Sequence, residues 1–278
     1  MSRSGSARFD GKVVIVTGST KGLGVQIVRR FAAEGASVVV TGRTEDDGHR
    51  VVAEIGGGGG TAMFVKADLA VRSDIDGLVG RTIERFGGVH VLVNNAAPID
   101  VIAESEAPIL TESDETFESI LRIGLFAPVA LVKAVLPSML RARDGAIVNI
   151  SSVAGVQGTS GVPAYSCMKG ALQAFTRQVA TEYGTEGIRS NCIVTGPILT
   201  DNITGMALRH PLVVKAFQQV LLSRDAEMGC PDDIAEACLY LSSDGARFVN
   251  GILLPVDGGV TCKSTLPDIS AIFTEATG

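Results

Sequence analysis

Tyr165 and Lys169 stand four residues apart in a segment that opens near Pro163, a residue suited to the first turn of a helix, so both side chains share one helical face. A phenol beside an ammonium group is a candidate acid–base pair. A free phenol titrates at about 10, so forming its phenolate at pH 7 costs roughly 4 kcal/mol. A lysine charge about 5 Å away, at an effective dielectric constant of about 20, contributes roughly 3.3 kcal/mol. One lysine can therefore supply most of the shift that lets a tyrosine exchange protons near neutrality. Such pairs arise often by chance, so a second signal is needed. It lies near the start of the chain, where Thr17-Gly18-Ser19-Thr20-Lys21-Gly22-Leu23-Gly24 follows an apolar run and precedes an amphipathic stretch. Three glycines at fixed offsets let the backbone turn sharply and approach a pyrophosphate, whose charge is met by the N-terminus of the next helix.

These residues need a scaffold, and seven β-branched runs supply one: Val13 to Thr17, Ser37 to Thr41, Ala62 to Ala67, Val89 to Asn94, Ala146 to Ser151, Arg189 to Val194 and Gly251 to Val256. Between them, apolar residues recur three and four apart, as in Val25, Ile27, Val28, Phe31 and Ala32, which suits helices packed on a sheet. Alternating strands and helices imply an α/β fold with a parallel sheet covered on both faces. Near-continuous apolar strands such as Val13-Val14-Ile15-Val16 agree with that two-sided burial.

The chain has 278 residues, 46% hydrophobic and 19% charged, which suits one large α/β domain and excludes a disordered polyampholyte. Lysine and arginine number 24 against 30 aspartate and glutamate, a net charge of −6 with no basic block, which argues against nucleic acid as a partner. The longest apolar run, near Leu125 to Leu140, is broken by Pro128, Lys133 and Pro137, so no bilayer span is expected, and the first residues lack a signal-peptide core. Five scattered cysteines without CxxC pairing read as reduced thiols in a cytoplasm, and Cys167 is expected to face away from Tyr165. Three dispersed histidines give no metal site. The glycine run 56–60 reads as a surface loop, residues 1–10 as a flexible tail and 262–278 as a second tail, with one domain over 11–261 between them.

The GxxxGxG spacing directly after the first strand resembles the short-chain dehydrogenase/reductase family, and further motifs extend that resemblance over about Gly11 to Gly259. It implies a Rossmann-type doubly wound sheet of about seven strands. It also implies a dinucleotide cradled by Gly18, Thr20, Lys21, Gly22, Leu23 and Gly24, with its adenine against Asp68 and Leu69 and with Asn94 and Ala96 beside it. Ala97 stands where the family usually has glycine. The segment Asn191 to Thr200 resembles the part that holds the nicotinamide carboxamide, through Gly196, Ile198 and Thr200, with Thr195 where proline is common. The second strand ends Thr41-Gly42-Arg43 without the acidic residue that would hold a ribose 2′-hydroxyl. Arg43 and Lys21 instead offer cations for a 2′-phosphate, favouring NADP(H) over NAD(H).

Ser152, thirteen residues before Tyr165, completes the catalytic set that the resemblance implies. Tyr165 is the acid or base, Lys169 also binds the nicotinamide ribose, and Ser152 steadies the substrate oxygen. The family's asparagine on the preceding long helix, which holds a water leading from the lysine to solvent, is Gly124 here. The reading is an NADP(H)-dependent oxidoreductase interconverting a secondary alcohol and a ketone, or reducing a 3-oxoacyl group. The alternative is a dinucleotide-binding sensor or scaffold with weak or lost catalysis. An apolar segment over about 201–227, together with 97–109, suggests a lid over a mainly apolar small-molecule substrate. The resemblance further implies a homotetramer with contacts around Phe117 to Met139 and Tyr165 to Tyr183.

Overall fold

The structure, a computed structural model, describes residues 7–200, 204 and 211–263. Seven strands form one parallel sheet: β1 (Val13–Val16), β2 (Ser37–Gly42), β3 (Thr61–Lys66), β4 (Val91–Asn94), β5 (Gly145–Ser152), β6 (Ile188–Thr195) and β7 (Leu253–Val256). Their order across the sheet is β3-β2-β1-β4-β5-β6-β7, so the direction of winding reverses between β1 and β4. A crevice opens outside the carboxyl ends of strands at such a switch, which is where the glycine loop lies.

Strand residues alternate between the two faces, and each face is apolar. Val14, Val16, Val38, Val40, Val91 and Val93 pack with α1 (Gly22–Ala33), α2 (Glu45–Gly57) and a late helix, Pro231–Ser242. Ile15, Val39, Leu92 and Ile147 pack on the other face with α3 (Arg72–Phe86) and the long helices of the central region. Those are α4 (Ile99–Ser105), α5 (Asp114–Leu121), α6 (Ala127–Ala142) and α7 (Pro163–Tyr183), of which α6 and α7 cover the sheet. They are followed by α8 (Pro211–Val220) and α9, the Pro231–Ser242 helix. Two buried faces leave no polar stripe on the central strands, which is why β1, β2 and β4 are mostly aliphatic.

Three details depart from the sequence expectations. Phe9 was placed in a flexible tail. Instead it is 1% exposed and meets Phe31 edge-on with ring centroids 4.9 Å apart, because the apolar ring closes the end of the α1 layer. The glycine run is not all loop: α2 continues through Gly57, and the left-handed turn that ends it falls at Gly59, φ +83°. The third departure concerns Pro137, which does not break the apolar run but sits inside α6 on its exposed side. The amide it lacks would have bonded the carbonyl of Lys133, an exposed residue whose carbonyl water can reach. By length and composition the continuous helical stretch Asp114–Ala142 could cross a bilayer. In the fold, its Leu131, Val132, Val135 and Met139 are buried against the sheet.

Of the segment expected as a lid, α8 and the following turn to Glu227 are described, while 201–203 and 205–210, with Met206 and Leu208, lie outside the described residues. The C-terminal tail is described only as far as Lys263, whose ammonium group donates to the carbonyl of Gln219 at 2.8 Å.

Candidate active site

The glycine loop is shaped by contacts that only glycine permits. Gly18 and Gly22 have φ of +63° and +54°, a left-handed backbone that side chains strain. A Cβ on Gly24 would stand 2.3 Å from the carbonyl oxygen of Gly18, so the first turn of α1 can close against the loop only without one. The helix it opens has no side-chain cap and no acidic residue in its first turn, leaving its N-terminal amides and positive dipole end for an anion. Thr17 joins this loop to the end of β4. Its hydroxyl accepts from the amides of Asn95 (2.9 Å) and Ala96 (3.0 Å), while the Asn95 side chain donates to the Thr17 carbonyl at 2.8 Å. Ala97 keeps an ordinary negative φ, so the family's glycine is not required there.

Beyond β2 and β3 a cleft of about 530 Å³ is lined by Arg43, Glu45, Lys66, Asp68, Asp74 and Arg81. Asp68 is fixed at its rim: its amide donates to Asp74 at 2.9 Å and its carboxylate accepts from the amide of Ala70 at 2.9 Å. Of the two cations singled out for a 2′-phosphate, Lys21 is 3.3 Å from Asp47, whereas Arg43 makes no ion pair among the described residues. On the far side, Gly196 lies so close to the backbone of Asp257 that a Cβ would come within 2.6 Å of it. Thr195 uses the hydroxyl that proline lacks to donate to the Ser151 carbonyl at 3.0 Å. Ile198, largely buried, pairs with Gly229, and the Thr200 carbonyl accepts from the amide of Thr204 at 2.8 Å. The uncapped helix, the glycine cradle and the flanking cleft fit an extended dinucleotide.

Ser152, Tyr165 and Lys169 converge at the carboxyl end of β5. Ser152 is the last residue of that strand, and its hydroxyl accepts from the amide of Ala154 at 3.3 Å. Tyr165 and Lys169 come from the first two turns of α7. The Lys169 ammonium lies 5.5 Å from the centroid of the Tyr165 ring and donates to the carbonyl of Ile150 at 2.7 Å. Ser151 steadies this arrangement by donating to the Lys169 carbonyl at 3.0 Å, and Gln173 donates to Ser151 at 2.9 Å.

Burial raises the Tyr165 phenol above its ordinary value, with Ser152 pulling it down and Glu106 pushing it up, while burial lowers Lys169 from 10.5 to about 8. The Lys169 ammonium is itself desolvated and donates to the Ile150 carbonyl. Burial thus favours the neutral phenol at Tyr165.

Gly124 lies in a wide π-type turn, Arg122–Phe126, between α5 and α6. The space where a side chain at 124 would stand belongs to Met168, whose sulfur would be 1.6 Å from a Cβ there. That space is filled by a thioether. Cys167 is exposed on the opposite side of α7, as its spacing implied. Thr17, Asn95, Ser151 and Asn149, which bridges Asn94 and Thr176 at 2.8 and 2.9 Å, were not singled out from sequence. Small polar residues carry no periodic signal, and only their position at strand ends could have marked them. Glu106, treated below, was missed for the same reason.

A family model described as Enoyl-(Acyl carrier protein) reductase matches residues 18–261. The chain belongs to the short-chain dehydrogenase/reductase family. It is 34% identical over 252 residues to the 2,5-dichloro-2,5-cyclohexadiene-1,4-diol dehydrogenase of Sphingobium indicum, covering 91% of this chain and 97% of that one. It is 35% identical over 257 residues to the cyclopentanol dehydrogenase of Comamonas testosteroni, covering 92% and 99%. Among solved structures, a 7α-hydroxysteroid dehydrogenase complexed with NADH and 7-oxo glycochenodeoxycholic acid is similar at 32% identity and a TM-score of 0.85, over 93% of this chain and 98% of that one. This member of the short-chain dehydrogenase/reductase family is an oxidoreductase of CH–OH groups.

Proposed function

We propose that the chain is an NADP(H)-dependent oxidoreductase interconverting a mainly apolar secondary alcohol and its ketone, with Tyr165 as the acid or base. The observation that carries this reading is the meeting of Ser152, Tyr165 and Lys169 at the end of β5, beside the crevice that the glycine loop borders. A bound nicotinamide dinucleotide would supply or accept the hydride. Reduction leaves alkoxide character on the substrate oxygen, and the Tyr165 hydroxyl, held protonated by burial, donates its proton there. Ser152 hydrogen-bonds the same oxygen and orients it. Lys169, buried behind the ring, stabilises the phenolate that remains.

Three exposed aliphatic residues, Ile99, Val156 and Leu199, follow the carboxyl ends of β4, β5 and β6 and rim the site, which supports an apolar substrate. The cyclic carbon skeletons in the names of the relatives agree with it. The preference for NADP(H) rests on Arg43 with its free fork. The same reading has the chain acting in the cytoplasm as a homotetramer, with Phe126, 59% exposed next to α6, available to a neighbouring copy. Steady-state oxidation of NADPH and of NADH against a panel of cyclic and acyclic ketones tests the proposal. Tyr165→Phe is expected to keep dinucleotide binding and lose turnover by about 10² to 10⁴. Near wild-type turnover in that variant removes Tyr165 from the chemistry, and a clear preference for NADH overturns the cofactor assignment.

A further inference from the structure

Helix α7 carries both Tyr165 and Lys169, yet nothing within it caps its start. Val162 provides no side-chain bond, and the first turn holds no acidic residue. Pro163 has no amide hydrogen, and Ser166 donates to the Val162 carbonyl at 3.0 Å. The amides of Ala164 and Tyr165 are left over, and Glu106 takes them from 59 residues away in the chain. Its Oε1 accepts from the Tyr165 amide at 2.8 Å, and the Ala164 amide also faces the carboxylate. Glu106 ends α4, and its own loop is held by Glu112, whose Oε2 accepts from the amide of Ala107 at 2.6 Å. The second oxygen of Glu106 is buried without a hydrogen-bond partner among the described residues.

We propose that Glu106 is a positioning residue for Tyr165, the remote cap that fixes the first turn of α7 and ties it to the loop 106–113. The inference rests on the proposed role of Tyr165. An anionic cap at a helix start is stabilising, and placing it on the amide of the proton-donating residue itself fixes the origin of that side chain. The charge also acts on the phenol. The groups facing Glu106 are Glu112 from its own loop and Tyr165 from α7, and those facing Tyr165 are Ser152 from β5, Lys169 from α7 and Glu106. A carboxylate near a phenol disfavours the phenolate, so removing its charge lowers the pH at which Tyr165 ionises.

Two variants test this. In Glu106→Ala the cap is gone, and kcat is expected to fall on the order of tenfold with the KM for dinucleotide within about twofold, since no partner of Glu106 lies in the glycine loop. Glu106→Gln keeps an acceptor oxygen for the two amides, so most of kcat returns. Its charge is nevertheless absent, and the acidic limb of kcat for alcohol oxidation moves to lower pH by about 0.5 to 1 unit. A cap with a purely structural role would restore kcat and leave that limb in place. An unmoved limb in Glu106→Gln, or an unchanged kcat in Glu106→Ala, overturns the proposal. Should Glu106→Ala fail to fold, the limb in Glu106→Gln decides alone. Turnover retained by Tyr165→Phe is the distinct signature that the underlying reading of Tyr165 has failed.

Discussion

Gly124 and Met168 share one volume, and that sharing has a measurable energy. A Cβ at position 124 would lie 1.6 Å from the Met168 sulfur, 2.6 Å from its Cγ and 3.0 Å from its Cε. The sulfur is mid-chain rather than a free end, and Met168 is 0% exposed among Ile120 and Ala164, so it cannot simply swing aside. Overpacking of this kind costs about 1 to 3 kcal/mol, offset by up to about 1 kcal/mol from replacing glycine in a helical segment. Gly124→Ala should therefore be destabilised by up to roughly 3 kcal/mol, or up to about 12 °C in melting temperature for a chain of this size. Met168→Ala alone opens a cavity and should cost about 2 to 5 kcal/mol. In the double variant the new methyl group enters the space that the thioether leaves, so the two costs should fall short of additivity by about 1 to 3 kcal/mol. Urea unfolding of the four proteins measures this coupling. Additivity within about 0.5 kcal/mol, or a Gly124→Ala variant more stable than the parent, would refute the shared-volume argument. The same geometry makes Gly124→Asn a poor probe of proton relay by itself. Gly124→Asn in the Met168→Ala background is the clean comparison.

Three other outcomes are expected. Lys169 has its pKa lowered by burial from 10.5 to about 8, so between those values the unfolded chain binds the extra proton and stability rises with pH. Lys169→Met should consequently melt higher than wild type below pH 8, by up to roughly 3 kcal/mol, lose that advantage towards pH 10.5, and turn over poorly throughout; a variant less stable than wild type at pH 7 contradicts this. Arg43→Ala should raise the KM for NADPH about tenfold and leave that for NADH nearly unchanged, measured by initial rates. Ser113 caps α5 by accepting from the Thr116 amide at 3.1 Å, so Ser113→Ala should cost about 1 kcal/mol in thermal or urea unfolding with kcat intact.

The strands were legible because a sheet buried on two faces demands long aliphatic runs; Val13 to Val16 and Ser37 to Thr41 could be little else. The glycine loop was legible because left-handed backbone at Gly18 and Gly22 and close contact at Gly24 each exclude other residues. What escaped has a common cause. Phe9 looked like part of a polar tail because its partner Phe31 is remote in sequence, and Pro137 looked like a break because its exposed position on α6 is a tertiary fact. Polar residues that act through one amide or carbonyl, such as Thr17, Ser151 and Glu106, have no periodicity to reveal them.

The depressed lysine exposes a division of labour between groups. Two buried side chains that could neutralise each other are kept apart in function: Lys169 donates to a backbone carbonyl, and Tyr165 stays a neutral phenol with Glu106 pushing it further that way. On the proposed mechanism, a site arranged so offers the Tyr165 proton to the substrate oxygen as negative charge develops there. At that moment a protonated Lys169 would stabilise the phenolate left behind across the ring. The same burial that destabilises Lys169 in the resting protein makes its charge effective during the reaction. The expected rise in stability of Lys169→Met and its loss of turnover are thus two readings of one desolvation.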